Sequence, residues 1–284
     1  MAIGVSYLAK GAAVAFALAL GGCASLPADR AERAQMLQAG AVDTSDPLEP
    51  VNKVFLQGNL LLYKGIERPV AGVYMAVVPG VVRDRVSAGL SNLEEPRIFI
   101  NDVLQGRPQS AATTLGRFLL NSTFGIGGLF DWATMSGMPR QTGDFGQTLY
   151  VWGADSGPYL VLPILGPATV RDGLGKVVDP EINPNLYLIA HYGGVWPTVG
   201  IAGFMAINQA GGLDDVLAGS LDLYPRLRSL YLQKRASELG DAIGVTVNPQ
   251  TEPTQITPAG TAAPKTAAAK AAAKAIPKPV DQQQ

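Results

Sequence analysis

The 284-residue chain balances 22 Lys and Arg against 23 Asp and Glu and has a single histidine and a single cysteine. Charged residues make up 16% of it and apolar residues 47%, where a typical globular domain carries about 25% charged. The 24–245 body is mildly acidic, 21 acidic against 17 basic residues, which argues against nucleic acid and against polybasic attachment to anionic headgroups.

In chain order, Met1–Gly22 holds one charge, Lys10, then the apolar run Gly11–Leu20. That is the anatomy of a secretory signal, shorter than the roughly 20 apolar residues a membrane span needs. It ends in Leu20-Gly21-Gly22-Cys23, a lipobox, which predicts cleavage before Cys23 and transfer of a diacylglycerol to its thiolate. A lone cysteine cannot close an internal disulfide, and acylation removes an otherwise oxidisable thiol. Ala24, in place of the aspartate that commonly retains lipoproteins in the inner membrane, is permissive for the outer membrane. Residues 23–44 read as a lipidated tether with a short helical turn.

The 45–245 segment reads as mainly α. Asp46 can cap a first helix with Pro47 as its first residue and Glu49 as reciprocal partner; an onset at Pro50 fits equally. Helices are expected over Val82–Asn92, Arg97–Leu104, Ser110–Asn121 and Asp214–Gly240. Short strands are tempting only at Tyr150–Trp152 and Tyr159–Leu162. Ile182–Leu213 has no Asp, Glu, Lys or Arg, but Gly193, Gly194, Pro197, Asn208 and Gln209 interrupt it. It fits an interfacial hairpin dipping into one leaflet, with Val195, Trp196, Val199, Ile201, Phe204 and Met205 facing lipid, or else a buried helix pair. Residues 246–284, built of Pro, Ala, Thr, Lys and Gln, are expected to be disordered. They read as a solvated spacer, or as a contact to peptidoglycan or a partner.

Catalytic signatures are missing. With only His191 there is no His-based zinc site, and the one Ser-His-Asp combination has no G-x-S-x-G elbow. Gly125-Ile126-Gly127-Gly128 lacks the lysine of a phosphate loop and the third spaced glycine of a dinucleotide site. Glu94-Glu95 and Asp214-Asp215 are adjacent, so on a helix they splay apart and read as solvated faces or caps. No enzyme, metal or cofactor is expected.

An ordered set of strings does carry a resemblance: Ser45-Asp46-Pro47-Leu48-Glu49-Pro50-Val51-Asn52, Arg68-Pro69-Val70-Ala71, Asn92-Leu93-Glu94-Glu95-Pro96 and Leu104-Gln105-Gly106. Arg117-Phe118-Leu119-Leu120-Asn121-Ser122-Thr123, Asp144-Phe145-Gly146-Gln147-Thr148-Leu149, Gly157-Pro158-Tyr159-Leu160 and Arg171-Asp172 follow. The series resembles the MlaA (VacJ) lipoproteins. The resemblance implies a compact, ring-like, multi-helix domain lying in the inner leaflet of the outer membrane and enclosing an amphipathic channel. It further implies association with a trimeric porin and removal of mislocalised phospholipid from the outer leaflet. The lipid would pass to a soluble periplasmic carrier, MlaC-like, that feeds an inner-membrane ABC transporter. Arg117, Asn121, Asp144, Gln147, Arg171 and Asp172 sit in these strings. They either pair with one another, for example Arg117 or Arg171 with Asp144, or line a polar passage, with Arg171 the foremost candidate for a headgroup. A non-transporting scaffold or cell-wall tether is the competing class.

Overall fold

Four helices open on a proline in their first turn, where its fixed φ and missing N–H do no harm. The computed structural model describes residues 30–40, 46–194, 196–197, 200–207, 217, 222–247 and 257–258. The segment expected to be a signal, Cys23 and most of the C-terminal segment lie outside the described residues.

Helix α1 (Arg30–Gly40) precedes α2 (Glu49–Leu62), which runs through a π turn, Tyr63–Glu67, into α3 (Arg68–Val77). Then come α4 (Gly80–Leu104), α5 (Pro108–Thr123), the single turn α6 (Trp132–Met135) and α7 (Phe145–Val151). A hairpin of β1 (Tyr159–Leu162) and β2 (Gly166–Thr169) leads into α8 (Val170–Ile182) and α9 (Pro184–Gly193). After a helical stretch over residues 200–207 the described chain closes with α10 (Leu223–Ala242), β3 (Val245–Thr246) and β4 (Thr257–Pro258). Among the described residues, no helix is long and apolar enough to cross a membrane.

Several expectations are corrected. The first helix begins at Glu49 with Pro50 in its first turn, the later of the two onsets. The two helices expected between Val82 and Leu104 are one, with Pro96 inside it. Proline breaks the local backbone ladder, and the nearby Leu93 carbonyl accepts Asn183 Nδ2 at 3.1 Å and Asn185 Nδ2 at 3.2 Å. Tyr150–Trp152 is the end of α7 rather than a strand, because Asp144 caps that helix through the Gln147 N–H. The tether contains a full helix, α1, whose Ala34 is buried against Tyr150, Leu239 and Ile243. The last long helix starts at Leu223, capped by Asp222, not at Asp214. Packing also runs past residue 245, since Val247 is buried against Ala236 and Thr246 pairs with Thr257.

The hairpin is antiparallel, Tyr159 opposite Thr169 and Leu162 opposite Gly166. Two asparagines of α2, seven residues apart and therefore on one face, satisfy the edge of β1. Asn52 donates Nδ2 to the Tyr159 carbonyl (3.0 Å) and accepts the Val161 N–H (2.9 Å). Asn59 does the same for the Leu162 carbonyl (2.9 Å) and the Ile164 N–H (2.7 Å), which holds the β-branched Ile164 at φ 67° in the turn. Side-chain amides thus stand in for a third strand, while Tyr159 and Val161 pack with Leu56 and Tyr224.

Replacing Asn52 by Leu should leave a buried C=O and a buried N–H without partners. At about 1–3 kcal/mol per orphaned group the loss should be several kcal/mol, read as a lowered thermal midpoint. Asn59→Leu, beside the exposed turn, should cost less, and equal midpoints would refute this account of the hairpin.

Candidate functional site: a buried ionic frame beneath an apolar surface

Among the described residues the bulkiest fully buried side chains are Arg117, Gln147, Glu95, Asn52, Asn101 and Asn183, none of them apolar. Val54, Leu61, Ile66, Val73, Val77, Phe124, Met135 and Trp196 are all at least 60% exposed. Fully buried charged groups together with so many exposed large apolar side chains are unusual for a water-soluble protein.

Arg117, on α5, is 2% exposed. Its Nε meets Glu95 Oε1 of α4 at 2.9 Å and its Nη2 meets Asp131 Oδ2 at 3.1 Å. Its Nη1 donates to Thr134 Oγ1 (3.0 Å) and to the Met138 carbonyl (2.7 Å). One turn on, Asn121 donates to Asp131 Oδ1 at 3.0 Å and accepts the Ala133 N–H at 2.9 Å. The glycine string at residues 125–128 folds onto this cluster: a Cβ on Gly128, which has φ 95°, would lie 2.3 Å from Asn92 Cβ. It is a close-packed turn, not a phosphate loop.

Arg235, on α10, forms the second hub. It grips Asp144 with both forks, Nη1 to Oδ2 at 2.6 Å and Nη2 to Oδ1 at 2.8 Å, and reaches Asp172 Oδ1 at 2.8 Å. Arg171 Nε contacts the same Asp172 oxygen at 3.1 Å, and its guanidinium lies 5.2 Å from the Tyr150 ring centroid. Tyr231 donates its hydroxyl to Asp172 Oδ2. Gln147, also buried, gives its backbone N–H to Asp144. The hub exists because Gly146 has no side chain: a Cβ there would sit 2.6 Å from Arg235 Nη2 and 2.8 Å from Asp172 Oδ1.

Between the hubs, Thr148 donates to Asn101 Oδ1 (2.8 Å) and accepts Gln105 Nε2 (3.1 Å). Asn101 Nδ2 and the Phe145 N–H both donate to Asp179 Oδ1, at 3.1 and 3.0 Å.

The carboxylates divide in two. Burial pushes Asp131 up, but hydrogen bonds from Thr134, Asn121 and Arg117 outweigh it and hold it at about 2. Asp144 and Asp172 are likewise held down by their arginines against the cost of burial. For Glu95 and Asp102 burial wins and the carboxyl is pushed up. Asp179 rises to about 6, because burial and nearby Asp144 outweigh Arg97 and its hydrogen bonds.

The six residues singled out from the sequence therefore fall into two clusters, Arg117 with Asn121, and Asp144 with Gln147, Arg171 and Asp172. Neither Arg117 nor Arg171 pairs with Asp144, whose partner is Arg235. Glu94 and Glu95 do splay apart, yet only Glu94 is near solvent, bound to Arg97 at 2.8 Å; Glu95 faces α5 and is buried. Asp131, which binds both Arg117 and Asn121, was not among the six. Arg235 lies in a charge-rich helix where nothing in the sequence separates buried from solvated charges. Of the apolar segment, Trp196 is exposed, Ile201, Phe204 and Met205 are half-buried, and Phe204 packs edge-on against Tyr74 at 5.2 Å. Val195 and Val199 lie outside the described residues. Among the described residues, no cluster of His, Cys, Asp and Glu could hold a metal ion.

Residues 44–238, which include both hubs and the asparagine-bracketed hairpin, match the family model described as MlaA lipoprotein. The chain belongs to the MlaA lipoprotein family. It is 35% identical over 231 residues to the intermembrane phospholipid transport system lipoprotein MlaA of Escherichia coli K12, covering 77% of this chain and 85% of that protein. The MlaA of Haemophilus influenzae is 33% identical, over 70% of this chain and 81% of its own. An uncharacterized protein of Rickettsia conorii is 41% identical over 52% of this chain, and the chain spans 59% of that relative's length. A solved structure described as the structural basis for maintenance of bacterial outer membrane lipid asymmetry superposes with TM-score 0.59 at 33% identity. It covers 69% of this chain and 99% of its own. Glu95, Asp144 and Arg171–Asp172 all lie within the MlaA-matched region.

Two outcomes follow for this family member. Arg235→Ala should leave Asp144 and Asp172 buried without their cation, a change that costs about 3–5 kcal/mol in comparable buried pairs; cellular protein level and thermal midpoint should fall together. Asp179 titrates at 3.8 unfolded and about 6 folded, so folding favours its protonated form. Its stabilising effect is complete below about pH 4 and is lost as pH rises to about 6. Asp179→Asn should flatten the stability–pH curve across that interval, and an unchanged slope would show that Asp179 is not responsible for it.

Proposed function

We propose that this chain is the outer-membrane lipoprotein of a phospholipid-transport system that keeps the outer membrane asymmetric. In this reading it takes phospholipid misplaced in the outer leaflet and passes it to a soluble periplasmic carrier of the MlaC kind, which supplies an inner-membrane ABC transporter. It sits beside a trimeric porin, anchored in the periplasmic leaflet through lipidated Cys23, and catalyses no reaction.

The observation that carries the reading is the inverted polarity of the body. Phospholipid pairs a charged head with apolar tails. A protein that handles it within a leaflet needs an exterior compatible with hydrocarbon and polar groups held inside. The exposed valines and leucines of α2, α3 and the first turn of α4 supply the first, and the two arginine hubs supply the second. The names of the E. coli and H. influenzae relatives agree with this function. The buried positions of Arg117 and Arg171 support their role as clamps of the frame.

The test is the amount of outer-leaflet phospholipid open to externally added phospholipase in a Gram-negative strain lacking its own MlaA. Expression of the full chain should restore asymmetry, and Cys23→Ala should not, because the anchor is lost. A chain ending at Pro258, which keeps the packed Val245 and Val247, should still restore it. Loss of function in that truncation would favour a scaffold or tether acting through the C-terminal segment.

A further inference from the structure

Away from both hubs, a cleft of about 750 Å³ opens where the α4–α5 turn, the 140–142 loop, the end of α10 and α1 meet. Arg33, Arg107 and Arg140 line it, and Asp241 is its only carboxylate. The cleft is thus cationic in a body that is net acidic, and a concave patch of one sign concentrates counter-ions.

Arg107 and Arg140 keep donors in reserve. Arg107 contacts Gln105 Oε1 (3.3 Å), the Thr142 carbonyl (3.2 Å) and Asp102 (3.3 Å), all through Nη1. Its Nη2 makes no hydrogen bond among the described residues. Arg140 makes one, Nη1 to Ser91 Oγ at 2.7 Å, and among the described residues no ion pair. Arg33 donates to the Val151 carbonyl at 3.4 Å and lies over the Tyr150 ring. The 16-residue helix α5 also begins here, with Gln109 and Ser110 on the cleft wall and no side chain capping its N-terminus. Its first N–H groups and the positive end of its dipole add to the same field.

We propose that this cleft is an anion site for a phosphodiester of headgroup size, with Arg107 and Arg140 as its fork donors. Guanidinium forks match the paired oxygens of a phosphate. The volume is that of a small-molecule pocket, about 300–1,000 Å³, and exceeds what a lone phosphate fills. Val151 and Ile243 give the wall an apolar part for the carbon backbone of the groups esterified to the phosphate, and Gln109, Ser110 and Gln141 give it partners for their hydroxyls. None of the hub arginines or carboxylates belongs to the cleft, so the site stands whether or not the transport reading does.

The full chain in detergent is titrated at low ionic strength with glycerophosphoglycerol and, separately, with inorganic phosphate. Saturable binding of the diester is expected. Arg140→Gln should weaken it about ten-fold, the equivalent of one charge-assisted hydrogen bond, without moving the thermal midpoint. Arg107→Lys, which keeps a cation beside Asp102 but loses the fork, should weaken it as well. Preference for the diester would identify a lipid headgroup as the source. Equal affinity for inorganic phosphate would identify free phosphate at the same anion site. No saturable binding by either ligand, or binding that neither substitution changes, would overturn the assignment.

Discussion

Arg235 holds Asp144 and Asp172 in contacts of 2.6–2.8 Å, and in doing so ties α7 and α8 to a helix some 60–90 residues further along the chain. A guanidinium withdrawn from water costs several kcal/mol unless its charge and donors are matched. Arg235 faces a third carboxylate as well, Glu238 at 3.0 Å, and the negative excess is met by Arg171 on Asp172 and by Lys234 on Glu238 at 3.7 Å. The hub is a charge-balanced group of two arginines and a lysine against two aspartates and a glutamate. Arg117 likewise faces two carboxylates, Glu95 and Asp131, and burial pushes Glu95 toward its neutral form, so that cluster also tends to neutrality. Charge balance lowers the cost of withdrawing such groups from water.

Glycine makes the geometry attainable. The aspartates converge on one guanidinium only if α7 and α8 come into backbone contact, and a Cβ on Gly175 would lie 2.5 Å from the Gly146 nitrogen. Two glycines in different motifs therefore serve one electrostatic requirement. The same logic runs through α2, where Asn52 and Asn59 convert a helix face into the edge partner of a strand. In each case, polar groups rather than apolar side chains decide which elements meet.

This explains what was legible in the sequence. Helices α3, α7 and α8 were not expected, whereas α2 and α5, most of α4 and α10, and the β1 strand could be read from punctuation by Pro and Gly, from caps and from apolar spacing. Tyr150–Trp152 could not, because a three-residue apolar run has no period, and only the Asp144 cap decides for helix. Nor could the pairing be read. Arg117, Arg171 and Asp144 stood out as charges set among Gly and apolar residues. Their partners Glu95 and Arg235 lie in helices whose charges look solvated, where burial depends on contacts between segments far apart in sequence. The adjacent pair Glu94-Glu95 shows the difficulty: the two residues have the same type and the same helix, yet opposite environments fixed by which side α5 packs against.

The inversion itself has a thermodynamic logic. In water, replacing a buried ion pair by well-packed apolar residues is often neutral or stabilising, because the hydrophobic effect drives apolar faces together. Between helices bathed in hydrocarbon that drive is absent, since lipid tails are as apolar as leucine, and association rests on close packing and polar bonds. A body surfaced by Val54, Leu61, Val73 and Val77 would gain little in lipid from an apolar core. It gains specificity from one built on Arg117, Glu95, Arg235, Asp144 and Asp172, whose wrong pairings would leave bare charges where no water can solvate them. In water the same exposed residues would cost roughly 25 cal/mol for each Å² of apolar area left uncovered. Under the proposed function, the apolar exterior and the buried ionic frame serve one adaptation to a lipid surrounding.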